Sequence, residues 1–351
     1  MNLPTGELLV TDFDGDTNAD LVVLDPLEKQ LIVALGDGMG GLTSTDSLTV
    51  DGSFNYSTIL AGDFSGEDGL PELAIVQRTQ AQIVLIDRTQ SGAMSVGTTH
   101  SFEDFGTFSD AIATIDFDGD GWSDFVVGTS QPTSALRFLH NVGGTPELLD
   151  ASVAIPGCAP TGLGVLGDEP LELIVSGGAC GAAQDGLPAV HVAGEVLGEL
   201  EILGMHPTGN DAVELAVGEL DGVGEIDVAI ANQRDVSLTI LRHIDGSLVA
   251  DASIALSDFC GDCVRLEDVE IGDLDGDMYG DIVVIVQRLV DGVNGTLALY
   301  VLEDALSTAP RWHWLSDDWT LPWPVLGDFN NDGRDDVVTH DYTSVGMLLS
   351  N

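Results

Sequence analysis

Short apolar runs that follow an aspartate set the rhythm of this chain. Leu21-Val22-Val23-Leu24, Phe125-Val126-Val127, Ile282-Val283-Val284-Ile285-Val286 and Val337-Val338 each begin directly after one. A second run follows several of them after a short turn, as in Gln30-Leu31-Ile32-Val33-Ala34-Leu35 and Ser237-Leu238-Thr239-Ile240-Leu241. Short runs rich in β-branched residues and bounded by turn residues predict strands. No segment carries a sustained helical period. The pattern predicts an all-β chain.

The acidic turn ahead of these runs repeats. Asp12-Phe13-Asp14-Gly15-Asp16-Thr17-Asn18-Ala19-Asp20 returns as residues 116–124, 273–281 and 328–336. Degenerate copies begin near 63, 167 and 219, giving seven units at a period in the low fifties. The copy at 63 is one residue too long, that at 167 keeps the strand but has lost the loop, and that at 219 has lost its fifth-position oxygen. Several short strands per unit at this period predict a propeller. The expectation is one domain over residues 1–351: a seven-bladed β-propeller with four-stranded antiparallel blades and calcium loops between the first and second strands. The last unit supplies three strands and lacks its outer one. A partner strand completing that edge is one reading of this, and a three-stranded blade or a longer parent chain is the other.

Within each clear copy, oxygen side chains fall at loop positions 1, 3, 5 and 9. They are Asp12, Asp14, Asp16 and Asp20; Asp116, Asp118, Asp120 and Asp124; Asp273, Asp275, Asp277 and Asp281; Asp328, Asn330, Asp332 and Asp336. Alternate spacing lets a curled loop turn them onto one hard cation, and three or four carboxylates plus a carbonyl suit calcium better than magnesium. Position 7 varies freely (Asn18, Trp122, Tyr279, Arg334), which fits a backbone carbonyl ligand. Glycine at position 4 fits a sharp bend. About four Ca2+ ions are expected, one per clear copy.

These loops resemble the FG-GAP or VCBS repeats of integrin-like propellers. The resemblance implies calcium loops on one face of a ring. It implies ligand binding on the opposite face, built by the second-to-third and fourth-to-first connections.

Composition narrows the function. The chain has 351 residues, 59 acidic against 10 basic, and a net charge of −49, with Lys29 its single lysine. Such a surface repels phosphate and excludes a nucleic-acid role. No run is long enough to span a membrane. Residues 1–7 show neither the charged nor the apolar region of a signal peptide. Calcium loops and cysteines point to an extracellular or periplasmic setting. A Cys158–Cys180 disulfide is expected from their connections on one face. Cys260-x-x-Cys263 reads as a redox motif, half a zinc site or a small local disulfide; lacking a βαβ context or a nearby His, the disulfide is preferred.

Scarce residue types mark ligand candidates. Arg78, Arg234 and Arg288 follow the second strands of their blades, with His340 in a comparable place. They form either a pocket for an anionic group or a set of local ion pairs. Trp312, Trp314, Trp319 and Trp323 crowd the passage into the last blade; they either pack the seam or offer faces to a sugar or a protein. The seven histidines are dispersed without metal-ligand spacing, and no catalytic motif stands out. The expectation is a non-catalytic binding or adhesion module for a protein or carbohydrate partner. The alternatives are a structural subunit assembled by strand addition and a polysaccharide-processing enzyme.

Overall fold

In a computed structural model, residues 6–50, 57–65, 69–89, 93–130, 133–155, 159–168, 171–177, 188–194, 200–290, 293–306, 311–319, 323–340 and 345–350 are described. Blade 1 holds β1 (Glu7–Thr11), β2 (Asp20–Asp25), β3 (Gln30–Gly36) and β4 (Leu42–Thr49). Blade 2 holds β5 (Ser57–Gly62), β6 (Glu72–Gln77), β7 (Gln82–Arg88) and β8 (Met94–Ser101). Blade 3 holds β9 (Phe108–Ile115), β10 (Asp124–Thr129), β11 (Ala135–Asn141) and β12 (Pro146–Ala154). Blade 4 holds β13 (Pro160–Asp168), β14 (Leu171–Gly177), β15 (Ala189–Gly194) and β16 (Leu200–His206). Blade 5 holds β17 (Ala212–Gly218), β18 (Asp227–Asn232), β19 (Ser237–Ile244) and β20 (Ser247–Ala255). Blade 6 holds β21 (Cys263–Gly272), β22 (Asp281–Val290), β23 (Val293–Glu303) and β24 (Arg311–Trp319). Blade 7 holds β25 (Val325–Gly327), β26 (Asp336–His340) and β27 (Val345–Leu348).

Each blade is an antiparallel meander paired in chain order; six have four strands and the last has three among the described residues. First strands of successive blades neighbour one another, and β1 meets β25, so the ring closes. The result is the seven-bladed propeller expected from the repeat. Residues 1–5, where a further outer strand would begin, lie outside the described residues.

Second strands are almost wholly buried because each is covered on both faces. Leu73 and Ile75 of β6 pack toward Val22 and Leu24 of blade 1. Their alternating neighbours Ala74 and Val76 pack toward Phe125 and Val127 of blade 3. The period-2 geometry of a strand thus feeds two seams at once. Loop position 2 plugs the same seams: Phe13, Phe64, Leu220 and Phe329 are all buried. Phe64 stacks on Phe125 of the next blade, centroids 4.9 Å apart.

Blades 7 and 1 close without a shared sheet. Phe329 and Val338 bury against Leu8, Leu21 and Val23. Gly40 N–H donates to Phe329 O at 2.9 Å, and Asn331 Nδ2 donates to Asn18 Oδ1 at 2.7 Å.

Removing one seam ring tests this packing. Phe125→Ala is expected to destabilise the chain by about 3–5 kcal/mol, the usual result of emptying a buried aromatic site. Urea denaturation followed by tryptophan fluorescence reads it; a change below about 1 kcal/mol would show that the seam does not hold the blades.

Candidate metal centre

The four clear copies fold into one loop shape. In blade 1, Asp12 Oδ1 accepts the Gly15 and Asp16 amides at 2.8 and 3.1 Å, and Oδ2 accepts that of Thr17 at 2.9 Å. Asp116 likewise takes Gly119, Asp120 and Gly121, and Asp273 takes Gly276, Asp277 and Met278. Asp328 takes Asp332 and Gly333. Positions 3 and 5 each accept the amide two residues on, as in an Asx-turn, which curls the chain and turns the remaining lone pairs inward. The carboxylates of Asp12, Asp14 and Asp20 converge, one oxygen of each within 4.8 Å of the others, as do those of Asp116, Asp118 and Asp124.

Position 9 does more than face the loop. Asp20 Oδ2 accepts the Phe13 amide at 2.8 Å and Oδ1 the Gly36 amide at 2.7 Å, tying the loop to the end of β3. Asp124 ties Phe117 to Asn141, Asp227 ties Leu220 to His243, and Asp336 ties Phe329 to Ser350. Burial pushes Asp124 and Asp281 up to about 7, with repulsion from Asp118 and Asp275 adding to the rise. Asp20 and Asp227 are raised for the same first reason, burial. Buried carboxylates that repel one another and present oxygen alone fit a hard divalent cation, which offsets both effects.

Sequence reasoning missed a position at or just beyond the end of the third strand. The residue just before the one whose amide caps position 9 faces the loop, and it differs from blade to blade. It is Leu35 in blade 1 and Leu349 in blade 7. In blade 3 it is His140, whose Nε2 lies 2.7 Å from Asp118 Oδ2. In blade 5 it is Arg242, which donates from Nε to Asp221 Oδ2 at 2.8 Å and pairs with the same oxygen through its terminal nitrogen. Burial alone would raise Asp221, but the Val223 amide and the Arg242 guanidinium hold it below the usual carboxylate range. The degenerate loop of blade 5 therefore carries its own cation. Only the β register, invisible in the repeat itself, reveals this pairing.

Position 7 also has a role that its variability concealed. Tyr279 lies over Gly222 of the preceding blade's loop, and Arg334 lies over Gly276. A Cβ on Gly222 would sit 2.5 Å from the Tyr279 ring. Amides link the same loops: Gly280 N–H donates to Glu219 O at 2.6 Å and Asp335 N–H to Asp273 O at 2.7 Å.

The remaining candidates are placed as follows. Arg78 pairs with Asp110, Arg234 with Asp211 at 3.2 Å, and Arg288 with Asp262 at 2.7 Å, so each meets a nearby carboxylate. His340 is fully buried in β26, away from any open face. Trp312 packs on Phe259, centroids 4.6 Å apart, whereas Trp314 and Trp323 are exposed. The Trp319 side chain lies outside the described residues, as do Cys158 and Cys180. Cys260 and Cys263 form a disulfide.

Neither a family model nor a curated protein matches the chain. Solved structures do. BBS1N in complex with ARL6DN, soaked with mercury, aligns with TM-score 0.63 and 13% identity over 99% of this chain and 93% of that one. The lead-soaked crystal of the same complex gives 0.62 and 14% over the same shares. A Lactobacillus plantarum protein gives 0.52 and 17%, covering 72% of this chain and 71% of its own. The likeness is one of fold.

On the first strands, four carboxyls influence one another around the ring axis: Glu7, Glu214, Asp268 and Glu270. Burial raises Glu7 and Glu270 to about 7 and Glu214 to about 8, the charge of Glu270 adding to the last; Asp268 is raised well above its usual range by burial and then by Glu270. An acid whose folded pKa lies above its unfolded value holds extra protons when folded. Its contribution is therefore lost as pH rises through the window from about 4.5 to about 8. Glu214→Gln is expected to raise Tm at pH 8 and to leave it nearly unchanged at pH 4.5, measured against the parent in the same buffers. An equal shift at both values would contradict proton sharing on the axis.

Proposed function

We propose that this propeller is a calcium-stabilised, non-catalytic binding module of the cell exterior, which recognises a protein or glycan partner. Four metal-competent loops of one shape on one face support this reading most directly. Cations there neutralise the carboxylates that tie each loop to the third strand of its own blade. They so hold a rim on the calcium-loop face, which we assign to the partner in place of the opposite face that the family resemblance implies. The apolar side chains on that rim fit recognition of a protein: Met39, Val223 and Met278 are each at least two-thirds exposed, and Tyr279 accompanies them. Val223, Met278 and Tyr279 lie on the loops of adjacent blades 5 and 6, where Tyr279 covers Gly222. Exposed apolar side chains within an acidic surface are the kind of feature that buries in an interface. BBS1N, which shares the fold, is in complex with ARL6DN, a protein partner. Exposed Trp314 and Trp323 give the glycan alternative its own surface. Strand addition at the three-stranded last blade remains the structural alternative to a free-standing binder.

The test is a glycan array in millimolar calcium and in chelator, paired with cross-linking to proteins of the extracellular fraction. Calcium-dependent recovery of a defined partner, lost on Met278→Asp, is the expected result. Turnover of an acidic polysaccharide by the pure protein would contradict the non-catalytic assignment. Chelation is also expected to lower Tm by at least several degrees, as follows when a ligand of the native state alone is removed. An unchanged melt would end the calcium account.

A further inference from the structure

Blade 4 has lost its acidic loop, and Glu172 stands where the other blades carry the position-9 carboxylate: Leu173 pairs with Val192 as Phe125 pairs with Leu139. Freed from a loop, Glu172 turns to imidazoles. Its Oε1 lies 2.6 Å from Nε2 of His191, on β15 of its own blade, and 3.4 Å from Nε2 of His243, on β19 of blade 5. Both histidines are more than nine-tenths buried. They face each other across the seam whose apolar wall includes Ile174, Ala189 and Leu241.

Two features separate this cluster from an ion pair. A brace for Glu172 needs one ring, and His191 supplies it. The second ring turns an unbonded atom to it: His243 Nε2 is buried, has no hydrogen-bond partner, and lies 3.4 Å from the same oxygen. The His243 backbone is held by its amide, which donates to Asp227 Oδ1 at 2.9 Å, and its ring is buried in the seam. A buried ring nitrogen left without a partner, as donor or acceptor, is unfavourable.

We propose that Glu172, His191 and His243 form a site for a borderline divalent transition metal, zinc being the leading candidate. Metal–nitrogen bonds of about 2.0–2.1 Å place adjacent donors roughly 3.2–3.5 Å apart in a tetrahedral shell. The 3.4 Å from His243 to Glu172 already meets that spacing, and His191 must withdraw by less than about 1 Å. Two imidazoles and a carboxylate select such an ion over calcium, which takes oxygen ligands. Three protein ligands leave one position open, and the Glu172 side chain, 18% exposed, marks its side of access. The site is independent of the calcium loops and of any partner.

The full chain, stripped with chelator and then saturated with calcium, is titrated with zinc chloride by calorimetry. One zinc per chain is expected beyond the calcium. His191→Asn and His243→Asn should each abolish it with the circular dichroism spectrum unchanged, and His140→Asn should retain it. Zinc-edge X-ray absorption on the His140→Asn protein decides the matter even if the other variants fail to fold. A shell with two imidazoles and no sulphur is expected. No uptake, uptake lost with His140, or a shell of oxygen or sulphur would overturn the assignment.

Discussion

One buried carboxylate per acidic loop holds the architecture at its most demanding point, where a polar turn must enter a hydrophobic seam. Position 2 of each loop plunges an apolar side chain between two blades, which strips its amide of water. Position 9 accepts that amide with one oxygen: Asp20 takes Phe13, Asp124 takes Phe117, and Asp336 takes Phe329. In four blades the other oxygen reaches an amide at or just beyond the end of the third strand. Apolar burial and charge placement are therefore one event. An unsatisfied amide in the seam would cost about 1–3 kcal/mol each time. The bond that prevents this obliges the protein to bury a carboxylate, and the proposed cation offsets the charge.

The blades solve that charge problem differently, and the differences are chemical. Blades 1 and 7 place leucine beside the loop, Leu35 on β3 and Leu349 just beyond β27, and leave the site to oxygen ligands. Blade 3 adds His140. Blade 5 inserts the Arg242 guanidinium against Asp221. Blade 4 discards the loop and keeps only the carboxylate, which recruits His191. One fold thus carries a graded series of answers to the same buried negative charge.

Much of this was legible in the chain. The Asp-x-Asp-x-Asp spacing, the apolar run after Asp20 or Asp124 and the seven-fold period carry the blade count and the loop positions, since turn chemistry and strand alternation are local properties. Cross-blade facts were not legible. Position 7 looked unconstrained because Tyr279 and Arg334 cover glycines about 57 residues back, in the preceding blade. The histidines looked dispersed because His191 and His243 meet only once two blades are packed. Arg78, Arg234 and Arg288 drew notice by scarcity in an acidic chain, yet that same acidity gives each a carboxylate close by.

The central claim is that a buried carboxylate framework calls for a cation in the four clear loops and not in blade 5, where Arg242 already sits. Calcium titration of the chelator-stripped chain by calorimetry, with the bound ion counted by mass spectrometry, tests it most directly. About four ions per chain are expected, falling by one when Asp116 and Asp118 are both changed to Asn. A chain that binds no calcium, or whose count is unmoved by those changes, would contradict the account.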